Sequence, residues 1–493
     1  MAHPAAPYGT GYADVVQAVR RYRPSALLPA LARLSARMER RRAEAGRPRR
    51  GLLPLWVMEA LASESIVHGT EFNRRELVRD VDLQRLGNLY WRSDRVVPDA
   101  TAAAVMTPIL HEQFTSQQSE YEELCRAKVL LGDDCPEDDP LDWSAVFGFD
   151  LLQALRSALL LGALVTTQDG RLDWQAVADP ADAAAVEWMV SVPQLRQVAD
   201  YLTATVPVAR GEAETGGHTA ATHARWVFNP LARYPLIDLG HAGVWAPVTN
   251  LLTTAFAPRN LYFAGFRRWG AVFPHRLGTR LEGYVGRQFR LVAGGQLQGK
   301  VLYRRHKAEA ESVDWIWVHP DAVVLIEVKS ARLTGDALAG LDLATTTARY
   351  LTKARSQIDE TADRIRVCHP AFAHIPADRP IIGLAVTGEP FYLANSTLPE
   401  YGAPSRTPSM VLAVREVELL VGAPDASADS VVQHLLRVVL DPLLRTQVFS
   451  TTLPNRLGEI RNPILDEAWE MIAPGVSDAA GLVDRPNGAV PPR

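Results

Sequence analysis

Three side chains in one short stretch have the types and spacing of a hydrolytic site: Asp314, Glu327 and Lys329. Asp314 opens an apolar run, Trp315-Ile316-Trp317-Val318, and Glu327-Val328-Lys329 closes a second, Val323-Val324-Leu325-Ile326. Residues two apart in a strand share a face, so Glu327 and Lys329 point the same way. His319-Pro320-Asp321 between the runs marks a turn, and the whole reads as two paired strands. A loop of residues 319–322 would pair Val318 with Val323 and set Asp314 opposite Glu327. Directly opposed Cβ atoms lie roughly 4.5–5.5 Å apart, so two such carboxylates could share one divalent cation. A three-residue loop would put them on opposite faces; the chemical reading needs an even one. In a purely structural hairpin the same residues would be costly, since like charges repel and buried charge is expensive.

The neighbouring elements must hold these groups in place. Leu281, Tyr284, Val285, Phe289 and Val292 make one face of a predicted helix over residues 277–292, with Glu282 at its edge. Residues 294–299 read as a turn and 301–303 as a strand. After the paired strands, a long helix is predicted from Gly335 through Ala344, Leu351, Ala354, Ile358, Ala362 and Ile365, and a buried strand over 381–386. Gly294 to Lys300 matches the spacing of a phosphate-binding loop, but Val301 replaces the Ser or Thr that would meet magnesium, and a strand follows where a helix must begin.

A helix bearing Glu282, then Asp314, then Glu327-Val328-Lys329, in the order α-β-β-β-α-β, resembles the PD-(D/E)XK nuclease superfamily. The resemblance covers about residues 275–390, with an extension to about 445 through 410–414 and 416–420. Val313 stands where the motif's name has Pro, and Gln357 is followed by Thr361 in place of a Gln-x-x-x-Tyr pattern. The resemblance implies a restriction-endonuclease-like α/β domain that hydrolyses phosphodiesters with Mg²⁺ or Mn²⁺. Asp314, Glu327 and the backbone carbonyl of Val328 would ligate the metal, Glu282 would hold a second ion or a metal-bound water, and Lys329 would hold or activate the attacking water. Gln357 and Lys353, one helical turn apart, could face this site. Lys300, Arg304, Arg305, His306 and Lys307 form a basic stretch suited to phosphate contacts or to a solvated strand end.

Composition bounds the rest. A chain of 493 residues, 47% apolar, is long enough for two or three domains. A net charge of −4 excludes a globally basic nucleic-acid coat and leaves local patches. Five lysines against 47 arginines make each lysine notable, and four of the five fall between residues 300 and 353. Cys125, Cys135 and Cys368 lack metal-ligand spacing. With no leader-like N-terminus and no membrane-length apolar run, a cytoplasmic protein is expected.

Residues 1–205 read as mostly helical, and the arginines at 37, 40–42, 47, 49 and 50 offer either a nucleic-acid contact or a solvated helix end. The acids at 133, 134 and 137–139 read as a solvated loop. A helix ending near Gly162, followed by an Asp169-Gly170 hairpin signal, suggests a winged-helix-like module near 150–175, for DNA contact or packing. Residues 206–270 form a linker and bridge, 271–445 the nuclease-like domain, and 446–493 an extension, flexible from about 474. The function expected is a DNA nuclease, in defence against foreign DNA or in repair, whose helical half selects substrate or a protein partner. The alternative is a non-catalytic nucleic-acid-binding or scaffold protein on the same fold.

Overall fold

A computed structural model describes residues 11–45, 53–72, 76–93, 101–115, 119–175, 187–215, 229–305, 308–338, 340, 342–453 and 461–476. Eleven strands are described in chain order. β1 (Arg171–Leu172), β2 (Thr203–Thr205), β3 (Leu236–Asp238) and β4 (Val244–Trp245) form a small sheet. β5 (Leu297–Gly299), β8 (Trp315–His319), β9 (Ala322–Lys329), β10 (Ile381–Thr387) and β11 (Ser409–Ala413) form the main sheet, and β6 (Leu302–Arg305) and β7 (Ala308–Glu311) a separate hairpin.

The main sheet runs β11-β10-β9-β8-β5, antiparallel from β5 to β9 and parallel from β9 to β11. Its centre, β9, is buried from Ala322 to Val328. An unbroken apolar strand of this kind requires cover on both faces. Val324, Ile326 and Val328 share a core with Leu281, Val285 and Phe289 of the Val272–Ala293 helix. Val323 and Leu325 share another with Ala354, Ile358 and Ala362 of the Lys353–Arg366 helix. Glu327 and Lys329 continue the second face to the strand's end, so the site is the polar terminus of an otherwise apolar face.

The β8–β9 loop is two residues, Pro320 and Asp321, because His319 still pairs with Ala322. The count remains even, Val318 pairs with Val323, and the ladder's last pair, Trp315 with Ile326, leads on to Asp314 and Glu327. The sheet's first strand differs from expectation. It is Leu297–Gly299, within the stretch expected to turn, and residues 302–305 instead pair with β7 outside the main sheet. The phosphate-loop spacing accordingly runs through a short 3-10 turn, Gly294–Gln296, into a strand. The expected long helix after Gly335 is divided: Gly335–Leu338, Leu343–Thr347, a π-turn at Ala348–Thr352, then Lys353–Arg366.

The helical half is not an appendage. Tyr12–Val19, Pro24–Ala45, Leu55–His68 and Asp80–Arg92 bury Val15, Leu27, Leu61 and Leu86 in a cluster with Ile237 and Leu251. The Glu120–Leu131 and Leu151–Thr167 helices instead belong to the core that runs through Phe289 and Ile326 to Ile472. Apolar packing thus crosses the boundaries expected near 205 and 271.

Two expectations are corrected here. The Leu151–Thr167 helix continues past Gly162, burying Val165 and Thr166, and β1 pairs with the distant β4. Asp169 (φ 56°) and Gly170 (φ 84°) are a left-handed turn ending that helix, so no winged hairpin forms. The acids of 133–139 do not form a free solvated loop. Asp138 accepts from Arg276 Nε at 2.6 Å and Arg280 Nε at 3.1 Å, Glu137 pairs with Arg287 at 2.7 Å, and Asp134 with Lys128. Asp138 and Glu137 fasten the helical half to the Val272–Ala293 helix, and a Cβ at Gly283 would lie 1.9 Å from Glu137 Cγ, so only glycine admits this approach. Arg42's side chain and Arg47, Arg49 and Arg50 lie outside the described residues, as does the tail from 477.

Candidate active site

Asp314 sits in the bend before β8, nearly buried. Two contacts from neighbouring elements fix it. Thr361 Oγ1, one turn beyond Gln357, accepts from the Val313 N–H at 3.1 Å, tying the bend to the Lys353–Arg366 helix. Asp314 Oδ2 accepts from the Val328 N–H at 2.8 Å. The contact at Val328 is made by its amide N–H. On the other side, Trp315 lies against Gly286, where a Cβ would come within 2.3 Å of the indole, and its Nε1 donates to Glu282 O at 2.9 Å. The strand and the Glu282 helix are thereby locked together.

Glu327 is 1% exposed. Its Oε1 accepts from Lys329 Nζ, and its Oε2 is buried without a hydrogen-bond partner among the described residues. Lys329 also donates to Gln357 Oε1 at 2.8 Å. Burial first, and then the Asp314 carboxylate, push the Glu327 pKa up to about 7. A buried acid with one orphaned oxygen, facing a second acid, has capacity for more positive charge than Lys329 alone supplies.

Glu282 reaches this group through a cation. Lys300 Nζ lies 3.2 Å from Glu282 Oε1, 3.5 Å from Glu311 Oε2 and 3.5 Å from Asp314 Oδ1. Burial would lower the Lys300 pKa, but Asp314 and Glu282 together hold it above the usual lysine value. Glu282 is raised by burial and by Asp314, against the pull of Lys300. Lys300 therefore faces acids, where the basic stretch was expected either to contact phosphate or to end a solvated strand. No group of three or more His, Cys, Asp or Glu is arranged to hold a metal among the described residues, and the ammonium of Lys300 stands between Glu282 and Asp314.

Asp314, Glu327, Lys329 and Gln357 are thus brought together, with Glu282 joined through Lys300. Lys353 is exposed one turn before Gln357, and Arg304 is exposed on β6. The side chain of Arg305, and both His306 and Lys307, lie outside the described residues. Glu311 and Thr361 were missed as site residues. The four-residue spacing of Gln357 and Thr361 on one helical face was the available signal for Thr361; nothing local marked Glu311.

No family model matches the sequence, and no curated protein or solved structure matches it significantly. No helix among the described residues is long and apolar enough to cross a membrane.

Proposed function

We propose that this chain is a metal-dependent nuclease acting on DNA, of the PD-(D/E)XK kind. The observation that carries the reading is the convergence of Asp314, Glu327 and Lys329 at one strand end, with Glu327 Oε2 left unpartnered and buried. The donor set fits a hard divalent cation: two carboxylates on oxygen-only chemistry, with Asp314 raising the need of Glu327 for a counter-charge. Asp314 and Glu327 would hold Mg²⁺ or Mn²⁺, and Glu282 would join them where Lys300 gives way. Such an ion, when bound, offsets charge on the phosphate and lowers the pKa of water.

The chain's own groups supply the remaining steps. Lys329 Nζ, fixed by Glu327 and Gln357, is a preorganised donor that can orient the attacking water and meet charge developing on a phosphate oxygen. Gln357, accepting from Lys329, limits the ammonium to one arc. Val328 and Thr361 hold the Asp314 bend so that the carboxylates need little reorganisation. A role in defence or repair accords with this chemistry, and the helical half, packed into the same core, is suited to positioning a substrate or a partner.

A second reading, a non-catalytic nucleic-acid-binding or scaffold protein, draws on Lys300, which could serve as a permanent counter-ion. One experiment separates the two. The protein is incubated with single- and double-stranded DNA and RNA in Mg²⁺, Mn²⁺ or EDTA, beside Asp314→Ala. Cleavage that needs metal and is lost in Asp314→Ala is expected; binding without cleavage of any substrate would decide for the scaffold.

A further inference from the structure

Immediately beyond the candidate active site lies a cavity of about 350 Å³, the size at which small-molecule pockets begin. It opens past the carboxyl ends of β9, β10 and β11, where ligands of α/β sheets gather. Its wall and the site are adjoining residues: Ser330 follows Lys329, and Leu281 precedes Glu282.

The three carboxylates of the lining are already matched, Glu123 by Arg126, Glu389 by Arg332 and Glu416 by the N–H groups of Ala413 and Ser450, which leaves two chemistries to meet a ligand. One is aromatic. His111 and Phe114, from the Ala102–Thr115 helix, lie with ring centroids 4.9 and 5.1 Å from that of Tyr392, inclined to it at 60° and 53°. The other is cationic. Arg332 is held over Tyr262 at 4.1 Å and paired with Glu389 at 2.6 Å. Arg259 forms no ion pair and donates no side-chain hydrogen bond among the described residues, though its charge is felt at Glu59. His111 Nε2 is buried without a partner, and burial brings the imidazole's pKa down to about 4, so it is neutral at pH 7. A wholly apolar ligand would leave Arg259 and His111 unmatched, and a bare anion would leave the rings unused.

We infer that the cavity seats one nucleoside monophosphate unit, its base against His111, Phe114 and Tyr392 and its phosphate toward Arg259. The surface leading away supports a strand as the source. Arg259, Phe263, Phe266 and Arg267 recur at i, i+4, i+7 and i+8 of the Pro258–Trp269 helix, on one face. Phe263 is 57% and Phe266 46% exposed, which suits stacking of successive bases of a single strand between cationic side chains. Occupancy of the cavity stands by itself, whereas assignment of its occupant to the substrate strand rests on the nuclease reading.

The full-length protein in EDTA, where no cleavage occurs, is titrated with 2-aminopurine deoxyribonucleoside 5′-monophosphate and with a short single-stranded oligonucleotide carrying one 2-aminopurine. Saturable quenching by both probes is expected. Arg259→Ala should weaken both at least about tenfold, and Arg259→Lys should recover part of this. Since the Arg259 side chain has no ion pair or side-chain hydrogen bond to lose among the described residues, only its longer-range pull on Glu59, a melting temperature close to the wild type's checks that the variant folds. Phe263→Ala with Phe266→Ala should weaken the oligonucleotide about tenfold and leave the mononucleotide unaffected. Tighter binding of the oligonucleotide upholds a substrate strand, and equal affinity upholds a free nucleotide. Absence of saturable quenching by either probe up to about 1 mM, or wild-type binding by Arg259→Ala, overturns the inference. Metal-dependent cleavage without mononucleotide binding sinks this inference alone. Mononucleotide binding in a protein that cleaves nothing sinks the nuclease reading alone.

Discussion

The Val272–Ala293 helix carries two charged clusters that contrast with each other. On one side Arg276, Arg280 and Arg287 meet Asp138 and Glu137, and Arg280, wholly buried, also donates to the carbonyls of Leu130, Gly132 and Asp139. On the other, Glu282 shares Lys300 with Glu311 and Asp314, while Glu327 shares Lys329 with Gln357. Burial acts on an acid in each cluster, yet with opposite results. Against the burial that would raise it, hydrogen bonds from Arg276 and Arg280 hold Asp138 below the ordinary aspartate value. Burial and a second acid drive Glu327 upward. The first cluster sets three arginines against two carboxylates and nearby backbone carbonyls, so no acid in it lacks a counter-charge, and it serves packing. The second has acids in excess of its cations, an arrangement that stability alone disfavours and that the proposed cation binding would account for.

The sharpest way to break this contrast is to remove one cation from each cluster. Lys329→Ala should reduce cleavage by about a hundredfold to a thousandfold, the scale on which loss of a preorganised donor to a transition state is felt. Its melting temperature should stay near that of the wild type, because the ammonium is partly exposed and leaves an acid able to protonate. Single-turnover cleavage beside a thermal melt measures both. Arg280→Ala should do the reverse. A buried charge pair broken on one side costs about 3–5 kcal/mol, here with the Leu130 and Gly132 carbonyls losing their guanidinium donor, so the midpoint in urea should fall steeply. Cleavage per folded molecule should survive. Equal loss of activity in the two variants would erase the distinction between clusters.

The pH dependence of stability sharpens it further. Because the folded pKa of Glu327 is raised from 4.5 to about 7, the folded state holds the proton more tightly. The resulting stability is fully present below about pH 4.5 and is lost as pH rises through 7. In EDTA the wild type should therefore lose stability between pH 5 and 8, by up to about 3 kcal/mol at 1.36 kcal/mol per unit. Glu327→Gln, which cannot ionise, should lose much less, and added Mg²⁺ should stabilise the wild type more at pH 8 than at pH 5.5. Urea titrations at three pH values decide it. Parallel curves for the two proteins would remove the charge excess from which the site was inferred.

How much of this was legible follows from the range of each interaction. The pairing of Asp314 with Glu327 was readable because strand alternation and turn length are local, and either even loop, of four residues or of two, gives the same register. The faces of β9 were readable for the same reason. The sheet's edge was not: Leu297-Gln298-Gly299 has too few apolar residues to announce a strand, and it is one because Trp315 and Trp317 need a neighbour. Asp169-Gly170 carried a true turn signal, but whether a helix or a strand precedes such a turn depends on the core that buries Val165. The role of Glu137 and Asp138 was hidden because their partners lie about 140 to 150 residues away. Lys300 was visible as a rare lysine, but its direction was set by Glu311 and Asp314, which the β6–β7 hairpin brings round to it.

That lysine gives the mildest and most discriminating test. Its ammonium stands 3.2–3.5 Å from three carboxylates, the position in which it competes with any cation those acids would share. Lys300→Met keeps the length of the stem and removes the charge. If the second cluster exists to take a divalent ion, removing the resident cation should tighten Mn²⁺ binding about tenfold, or about 1.4 kcal/mol. Calorimetry without nucleic acid reads this independently of turnover. Because metal and ammonium compete, the gain should shrink in Asp314→Ala, which removes a ligand common to both. Had the cluster evolved like that of Arg280, with the cation as a permanent strut, Lys300→Met would lose stability and gain no affinity. The same substitution therefore asks of the second cluster what Arg280→Ala asks of the first: whether its cation is there to hold the fold or to hold a place.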